Sequence, residues 1–246
     1  MKPVVTQAVN GEGVSVIIGA NSAIAQALIQ RLLLQGPVIA ISRRPLGVIA
    51  EGLESLQCDY SEDAISTLVN ELATRQLVIS NVFIFNGILH QASIKPEKRL
   101  EDLSVEAMNT LFQINTVTPM LWLKHLMPLV KGDKKCVVAV MSARIGSISD
   151  NRLGGWYSYR ASKAALNMLL QTSAVEYARR AKNVVILAFH PGTTDTPLSK
   201  PFQQNVDKEK LFSTEFVAER LLAVTQTVTP SAEAYFIDWK GDSILW

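Results

Sequence analysis

From Val14 onward, short runs of β-branched and other apolar residues alternate with longer stretches in which apolar side chains recur every three or four positions. That alternation predicts a parallel sheet covered by helices on both faces. The first run, VSVIIG, predicts a strand over 14–19. Ile24, Ala27, Leu28, Leu32 and Leu33 then share one helical stripe, which Gly36 and Pro37 end. VIAIS predicts a second strand over 38–42, LESLQC holds a shorter third within 53–58, and NVFIFNG begins the fourth at Asn81. A long helical region spans 104–131, and KCVVAVMS carries the fifth strand up to Ser142. A loop rich in Gly, Ser and Asn over 145–155 leads to a helix over 156–179. The sixth strand, VVILAFHPG over 184–192, follows, and a last helix over 216–228 precedes AYFIDW, the seventh. No repeat, low-complexity linker or break in composition divides the chain, so one domain over 1–246 is expected, α/β in class, with a doubly wound parallel sheet of about seven strands.

Composition narrows what such a domain can bind. A hydrophobic share of 48% over 246 residues supports a full core. The formal charge of +2 supplies no basic field for a nucleic-acid backbone or an anionic membrane, and neither partner is expected. Cys58 and Cys136 are too far apart for a C-x-x-C site and too few for a disulfide scaffold, which fits a reducing compartment. The N-terminal MKPVVTQAVNGEG has no long apolar core, and no apolar run reaches about 18 residues, so a cytoplasmic protein is expected. His90, His125 and His190 are too scattered to suggest a metal site.

Three features carry candidate chemistry. The first strand runs into IGANSAIAQAL, a turn opening a helix, where Gly19, Asn21, Ser22, Ala23 and Ile24 can present backbone N–H groups and a helix dipole to a pyrophosphate. Ala23 and Ala25 stand where a dinucleotide-binding turn usually has its second and third glycines. The second strand ends without the carboxylate that pairs with the ribose of NAD; instead Arg43, 24 positions after Gly19, and Arg44 suit the 2′-phosphate of NADP. Third, Tyr159 and Lys163 are four apart on a helix, and Ser142 ends the preceding strand, so the three can converge at the carboxyl edge of the sheet. A lysine ammonium about 5 Å from the phenol would lower its pKa by about two units at an effective dielectric of 20. Each feature alone has a plainer reading: an ordinary turn, a solvated arginine pair, an exposed Tyr and Lys on an amphipathic helix.

Together these motifs resemble the short-chain dehydrogenase/reductases over about residues 14–240. Tyr159-Arg-Ala-Ser-Lys163 is similar to the family's Tyr-x-x-x-Lys, Ser142 to its carbonyl-polarising serine, and Asn115 in FQINTVTP to its helix asparagine. HPGTTDT resembles the loop over the nicotinamide, with Pro191, Gly192, Thr194 and Thr196, and Asp59 in QCDYSED resembles the aspartate near the adenine. SARIGSISDNRLGGWYSYRASKAALN, PEKRLEDL, LSKPF and DWKGDSILW are similar to the branch that includes the C-factor (C-signal) proteins. The resemblance implies a Rossmann fold with a cofactor half over about 14–140 and a catalytic and substrate half over about 141–246.

Three departures stand out. The usual Asn-Asn-Ala-Gly element reads Ile84-Phe85-Asn86-Gly87, the glycine turn is thinned, and Ser142 and Tyr159 are 17 positions apart, a lengthened substrate-side loop. The expected activity is an NADP(H)-dependent interconversion of a carbonyl and an alcohol on a small, partly apolar substrate, with NADP(H) preferred over NAD(H). Tyr159 would be the proton donor, Ser142 the partner of the carbonyl oxygen, Lys163 the group that lowers the phenol's pKa and binds the nicotinamide ribose, and Asn115 the holder of a water. Asn86 and Gly87 complete the expected cofactor contacts. A homodimer or homotetramer is expected, with Leu166, Leu169, Leu170 and Tyr177 among the apolar residues offered to the contact. The alternative is a cofactor-binding signalling or regulatory protein with weak reductase activity.

Overall fold

The computed structural model describes residues 13–246; the N-terminal stretch read above as lacking an apolar core lies, up to residue 12, outside the described residues. β1 (Val14–Ile18) and β2 (Val38–Ser42) are buried along their whole length, as strands covered on both faces must be, and α1 (Ala23–Leu32) connects them. β3 (Leu53–Gln57), α2 (Glu62–Thr74) and β4 (Ile79–Ile84) follow. The chain continues through α3 (Val105–Phe112), a π-helical turn (Gln113–Val117) and α4 (Thr118–Val130) to β5 (Cys136–Met141). Next come α5 (Tyr157–Arg180) and β6 (Val184–His190), then the short pair β7 (Thr193–Thr194) and β8 (Leu211–Phe212), α6 (Thr214–Thr227) and β9 (Tyr235–Asp238).

The main sheet is ordered β3-β2-β1-β4-β5-β6-β9, every neighbouring pair parallel. Successive strand side chains point to opposite faces, which divides the core in two. Val16, Ile18, Ile41, Val82, Val138 and Ile186 meet Leu72 of α2, Trp122 of α4 and Leu166 of α5. On the other face Ile17, Ala40, Phe83, Ala139 and Leu187 meet Leu28 of α1 and Leu221 of α6. Each fully buried Leu or Ile contributes about 1.5–3 kcal/mol, so the sheet and its helices carry the stability and leave the loops at its carboxyl edge free for chemistry. Between β1 and β4 the strand order reverses, and the crevice outside their carboxyl ends is where open α/β sheets take ligands.

The structure differs from the sequence reading in the added pair β7 and β8, in β6, which stops at His190, in α6, which spans Thr214–Thr227, and in four further places. α2 is an addition: Ser61 accepts from the Ala64 N–H, Glu62 and Asp63 occupy the first turn, and Ile65, Val69 and Leu72 form the buried stripe. β4 begins at Ile79, two residues earlier, because Ser80 and Asn81 stay half-exposed at its entry. The helical region over 104–131 is two α-helices joined by the π turn. Trp156 precedes α5 rather than starting it, with a left-handed backbone at φ 54°. Of the residues offered to a subunit contact, Leu166, Leu170 and Tyr177 are buried within the chain, and only Leu169 remains partly exposed, at 38%.

Candidate active site

Two adjoining cavities run along the carboxyl edge of the sheet. The smaller, about 380 Å³, is lined by Gly19, Arg43, Asp59 and Tyr60, and the larger, about 890 Å³, by Ser142, Tyr159, Lys163 and the 191–194 loop. Asn21, Ser22, Arg44, Phe85, Asn86 and Gly87 line both, which makes them one cleft. Every site residue expected from sequence lines it except Asn115, which lies fully buried behind it.

Gly19 forms the floor at the end of β1. Its φ is +81°, and a Cβ there would stand 3.1 Å from the Phe85 carbonyl carbon, so both conformation and space call for glycine. The next helix then starts without a side-chain cap: Ser22 makes no capping bond and the first turn of α1 holds no acid. The N–H groups of that turn keep their capacity for an anion, at the positive end of the helix dipole. Ala25, fully buried, seats its methyl between helix and sheet where a third glycine would otherwise stand. The arginine loop is tied to the turn, because the Arg44 carbonyl accepts from Asn21 Nδ2 at 3.0 Å and from Ser42 Oγ at 2.6 Å. Arg43 stands over the Tyr60 ring, 5.9 Å from its centroid, and neither arginine has an ion pair among the described residues. Asp59 is held by the Ser61 N–H and hydroxyl, which lower its pKa. Three buried polar atoms in this cleft, Asn86 Oδ1, Thr194 Oγ1 and His190 Nδ1, have no partner among the described residues. Orphaned buried polar atoms are rare, and these three, with the uncapped helix start and the unpaired arginines, fit a polar, anionic dinucleotide.

At the larger end the polar groups are buried and held. Lys163 Nζ donates to the Met141 carbonyl at 2.8 Å, and Ser142 Oγ donates to Asn167 Oδ1 at 2.6 Å. Asn115 sits in the π turn, a distortion that recurs at functional sites. Its Oδ1 accepts from the Ile88 N–H at 2.7 Å, while Nδ2 donates to the Ile88 carbonyl and to Ser162 Oγ. A Cβ placed on Gly87 would lie 3.5 Å from both Asn115 Oδ1 and Lys163 Nζ, which brings these groups to one spot below the end of β4. Gly146 lets the loop after β5 press onto α5, since a Cβ there would meet Lys163 at 2.8 Å. The Tyr159 hydroxyl has no hydrogen-bond partner among the described residues, and its ring packs edge-on against Trp156 at 6.3 Å.

Burial dominates the titration of both groups. The Tyr159 phenol is pushed up to about 12 and the Lys163 ammonium down to about 8, each by desolvation. Desolvation is the one cause of each shift, so these shifts carry no effect of Lys163 on the phenol in either direction.

Three residues of the site escape the sequence reading. Asn167 orients Ser142, and it lies four positions after Lys163, on the same helical face. Tyr60, with its backbone at φ 70°, accepts from the Gly19 N–H at 3.1 Å and forms the wall beneath Arg43. Glu97, 2% exposed, reaches from the loop before α3 to the start of α5, where its carboxylate accepts from the Ser158 N–H and hydroxyl while its own carbonyl accepts from the Trp156 N–H. A carboxylate at a helix N-terminus is electrostatically favoured, so Glu97 fixes the turn that carries Tyr159. Its signal in the sequence, one of the three acids in PEKRLEDL, does not separate it from the exposed Glu101 and Asp102. Asp195 is exposed and bonded to Gln203, as a turn-former would be. Among the described residues no group of three or more His, Cys, Asp or Glu could hold a metal, and no helix is long and apolar enough to cross a membrane.

Comparison with known proteins agrees with this geometry. The chain is 27% identical over 248 residues to a benzil reductase ((S)-benzoin forming) of Bacillus cereus, spanning 91% of this chain and 98% of that one. It is 27% identical over 147 residues to the C-signal protein of Myxococcus xanthus, spanning 60% and 83%. A short-chain dehydrogenase/reductase structure from Burkholderia multivorans with bound NADP superposes with a TM-score of 0.80 at 22% identity, covering 96% of this chain and all of that one. Residues 13–207 match the model of the short chain dehydrogenase family, and the chain belongs to that family.

Proposed function

We propose that the protein is an NADP(H)-dependent oxidoreductase that interconverts a carbonyl and an alcohol. The observation that carries the reading is the hydroxyl of the buried Tyr159, which has no hydrogen-bond partner among the described residues and stands in the wall of the larger cavity with Ser142 and Lys163. The benzil reductase relative and the NADP-bound fold neighbour support it from outside the chain.

The cofactor supplies the hydride, and this chain supplies orientation and the proton. The uncapped start of α1, with Asn86 and Thr194, would hold the pyrophosphate and nicotinamide end, and Arg43 with Arg44 the 2′-phosphate. In reduction Tyr159 donates its proton to the carbonyl oxygen; burial raises its pKa, which keeps the proton on the phenol before transfer and leaves the positive charge of Lys163 to make the transfer favourable. Ser142 holds the same oxygen, and for that its hydroxyl turns its proton away from Asn167 Oδ1. Lys163, held at the Met141 carbonyl, places a positive charge beneath the site that offsets the charge left on Tyr159 Oη after transfer. Asn115, anchored by both its amide atoms, would support a water leading to Lys163.

The partner is a small carbonyl compound, and self-association rests on Met168, Leu169 and Val175, exposed along α5. Light scattering tests the second point, with a mass above that of a 27.0 kDa monomer expected at micromolar concentration. The activity is tested by NADPH oxidation over a panel of aldehydes and ketones. Turnover that disappears in Tyr159→Phe supports the reading, whereas cofactor binding with no turnover on any compound would point to a regulatory binding protein.

A further inference from the structure

Beyond Tyr159 the larger cavity continues into a region that no expected cofactor contact occupies. One side of it is apolar, formed by Leu89, Leu153, Trp156, Phe202 and Val206. Trp156 and Phe202 meet edge to face at 5.1 Å, and His90 closes on Phe202 at 5.6 Å. Set against this wall are Arg144, Arg152 and Arg160, and Asp150 is the one carboxylate among the residues lining the cavity.

The three arginines differ in what they hold. Arg144 is neutralised, with Nη2 on Asp238 at 2.9 Å and Nη1 3.4 Å from Asp150. Arg160 gives its guanidinium to backbone carbonyls: Nε to Gly155 at 2.9 Å, Nη2 to Gly154 at 3.1 Å and Nη1 to Ile145 at 3.5 Å. Carbonyl dipoles satisfy the N–H groups without cancelling the charge, no carboxylate lies within ion-pair distance of it among the described residues, and Asp150, already paired with Arg144, offsets it only in part and through space. Partial burial lowers its pKa, a sign that the charge is poorly solvated. The same three bonds clamp the loop that carries Arg152. Arg152 itself has no hydrogen bond or ion pair among the described residues. A cleft with an excess of one charge sign and low-dielectric walls focuses its field on the ligand.

We propose, on the reductase reading above, that this end of the cleft selects carbonyl substrates carrying a carboxylate on an apolar body, with Arg152 as the carboxylate's ligand and Arg160 as the fixed charge behind it. A guanidinium matches a carboxylate through two parallel N–H···O bonds, which gives direction as well as attraction. The apolar wall takes the body of the molecule, and the distance from wall to Tyr159 orients its carbonyl. The lengthened loop between Ser142 and Tyr159, otherwise unexplained, is then the element that brings the ligand arginine over the cleft.

The test compares 4-formylbenzoate with methyl 4-formylbenzoate as substrates of the full chain with NADPH, in wild type, Arg152→Ala and Arg152→Lys. The expected wild-type preference in kcat/KM is at least tenfold for the acid, expressed in KM. It falls to near one in Arg152→Ala, is partly restored in Arg152→Lys, and shrinks with added salt. A wild-type ratio near one, or a ratio unchanged in Arg152→Ala, overturns the proposal. If neither aldehyde is reduced, the reductase reading is what fails, and calorimetry with terephthalate judges the anion site alone. Saturable binding weakened about tenfold by Arg152→Ala upholds it, and absence of binding overturns it.

Discussion

At the smaller end of the cleft Arg43, Arg44 and Asp59 stand in solvent on loops; Asp59 bonds only to Ser61, and Arg43 touches only the face of Tyr60. At the larger end Ser142, Lys163 and Asn115 are each less than 5% exposed and each is bonded to a named partner on another element. The contrast follows from solvation. A polar group taken out of water costs least when it is satisfied internally, so Ser142, Lys163 and Asn115 at the larger end are each bonded, whereas exposed charges at the smaller end can remain free. Substitutions at the buried end should therefore change rate and stability together, and those at the exposed end should change affinity alone.

The largest effect is expected from Tyr159→Phe, which keeps the ring and removes the proton. Turnover should fall by about 10²–10⁴-fold while the Kd for NADPH stays within about twofold, measured by steady-state kinetics and fluorescence titration. Lys163→Met should also abolish turnover, yet it should raise stability. Holding the ammonium at about 8 rather than its ordinary 10.5 costs about 3 kcal/mol at pH 7, and losing the bond to Met141 returns about 1–2 kcal/mol of that, so a net gain of about 1–2 kcal/mol is expected in urea unfolding. The sign is checkable with pH. Between about 8 and 10.5 the unfolded state binds the proton and the folded state does not, so the wild type gains stability as pH rises through that window and the variant lacks the gain. A variant no more stable at pH 7 would mean that the charge is better solvated than its burial implies. Reductive turnover of the wild type should decline above about pH 8, as Lys163 loses its proton.

Arg43→Ala belongs to the exposed end and should leave stability unchanged within about 0.5 kcal/mol. Its effect is on cofactor choice: one charge-assisted bond to the 2′-phosphate contributes about 1.5–3 kcal/mol, so the wild-type preference for NADPH should fall by ten- to a hundredfold. An unchanged ratio would move the role to Arg44. The smallest effect is expected from Asp195→Asn, whose side chain is exposed and holds only Gln203 and Lys200; kcat should change by less than about twofold.

The two ends also differ in how far the sequence reveals them. Strand β2 is readable residue for residue over 38–42, because a buried parallel strand is a continuous apolar run bounded by turn residues. Tyr159 and Lys163 are legible because their relation is local, one helical turn. Asn167 follows the same periodicity, yet its role depends on the placement of β5 beside α5, which no local pattern encodes. Glu97 is hidden for the same reason: 61 positions separate it from Ser158. The π turn under Asn115 leaves the helical pattern intact and is invisible in it. Arg43 and Arg44 are conspicuous by their position, but whether a pair of arginines after a strand is free or paired is decided by the tertiary contacts, here Asn21 and Tyr60.

The central claim is that this cleft performs carbonyl reduction rather than binding a dinucleotide for another purpose. It is tested most directly by supplying NADPH deuterated at C4 on either face, with the aldehyde and ketone panel, and measuring deuterium in the alcohol by mass spectrometry. One deuterium on the carbinol carbon is predicted, from one face of the cofactor only and lost in Tyr159→Phe; unlabelled alcohol, or saturable NADPH binding with no alcohol formed from any compound, would contradict the account.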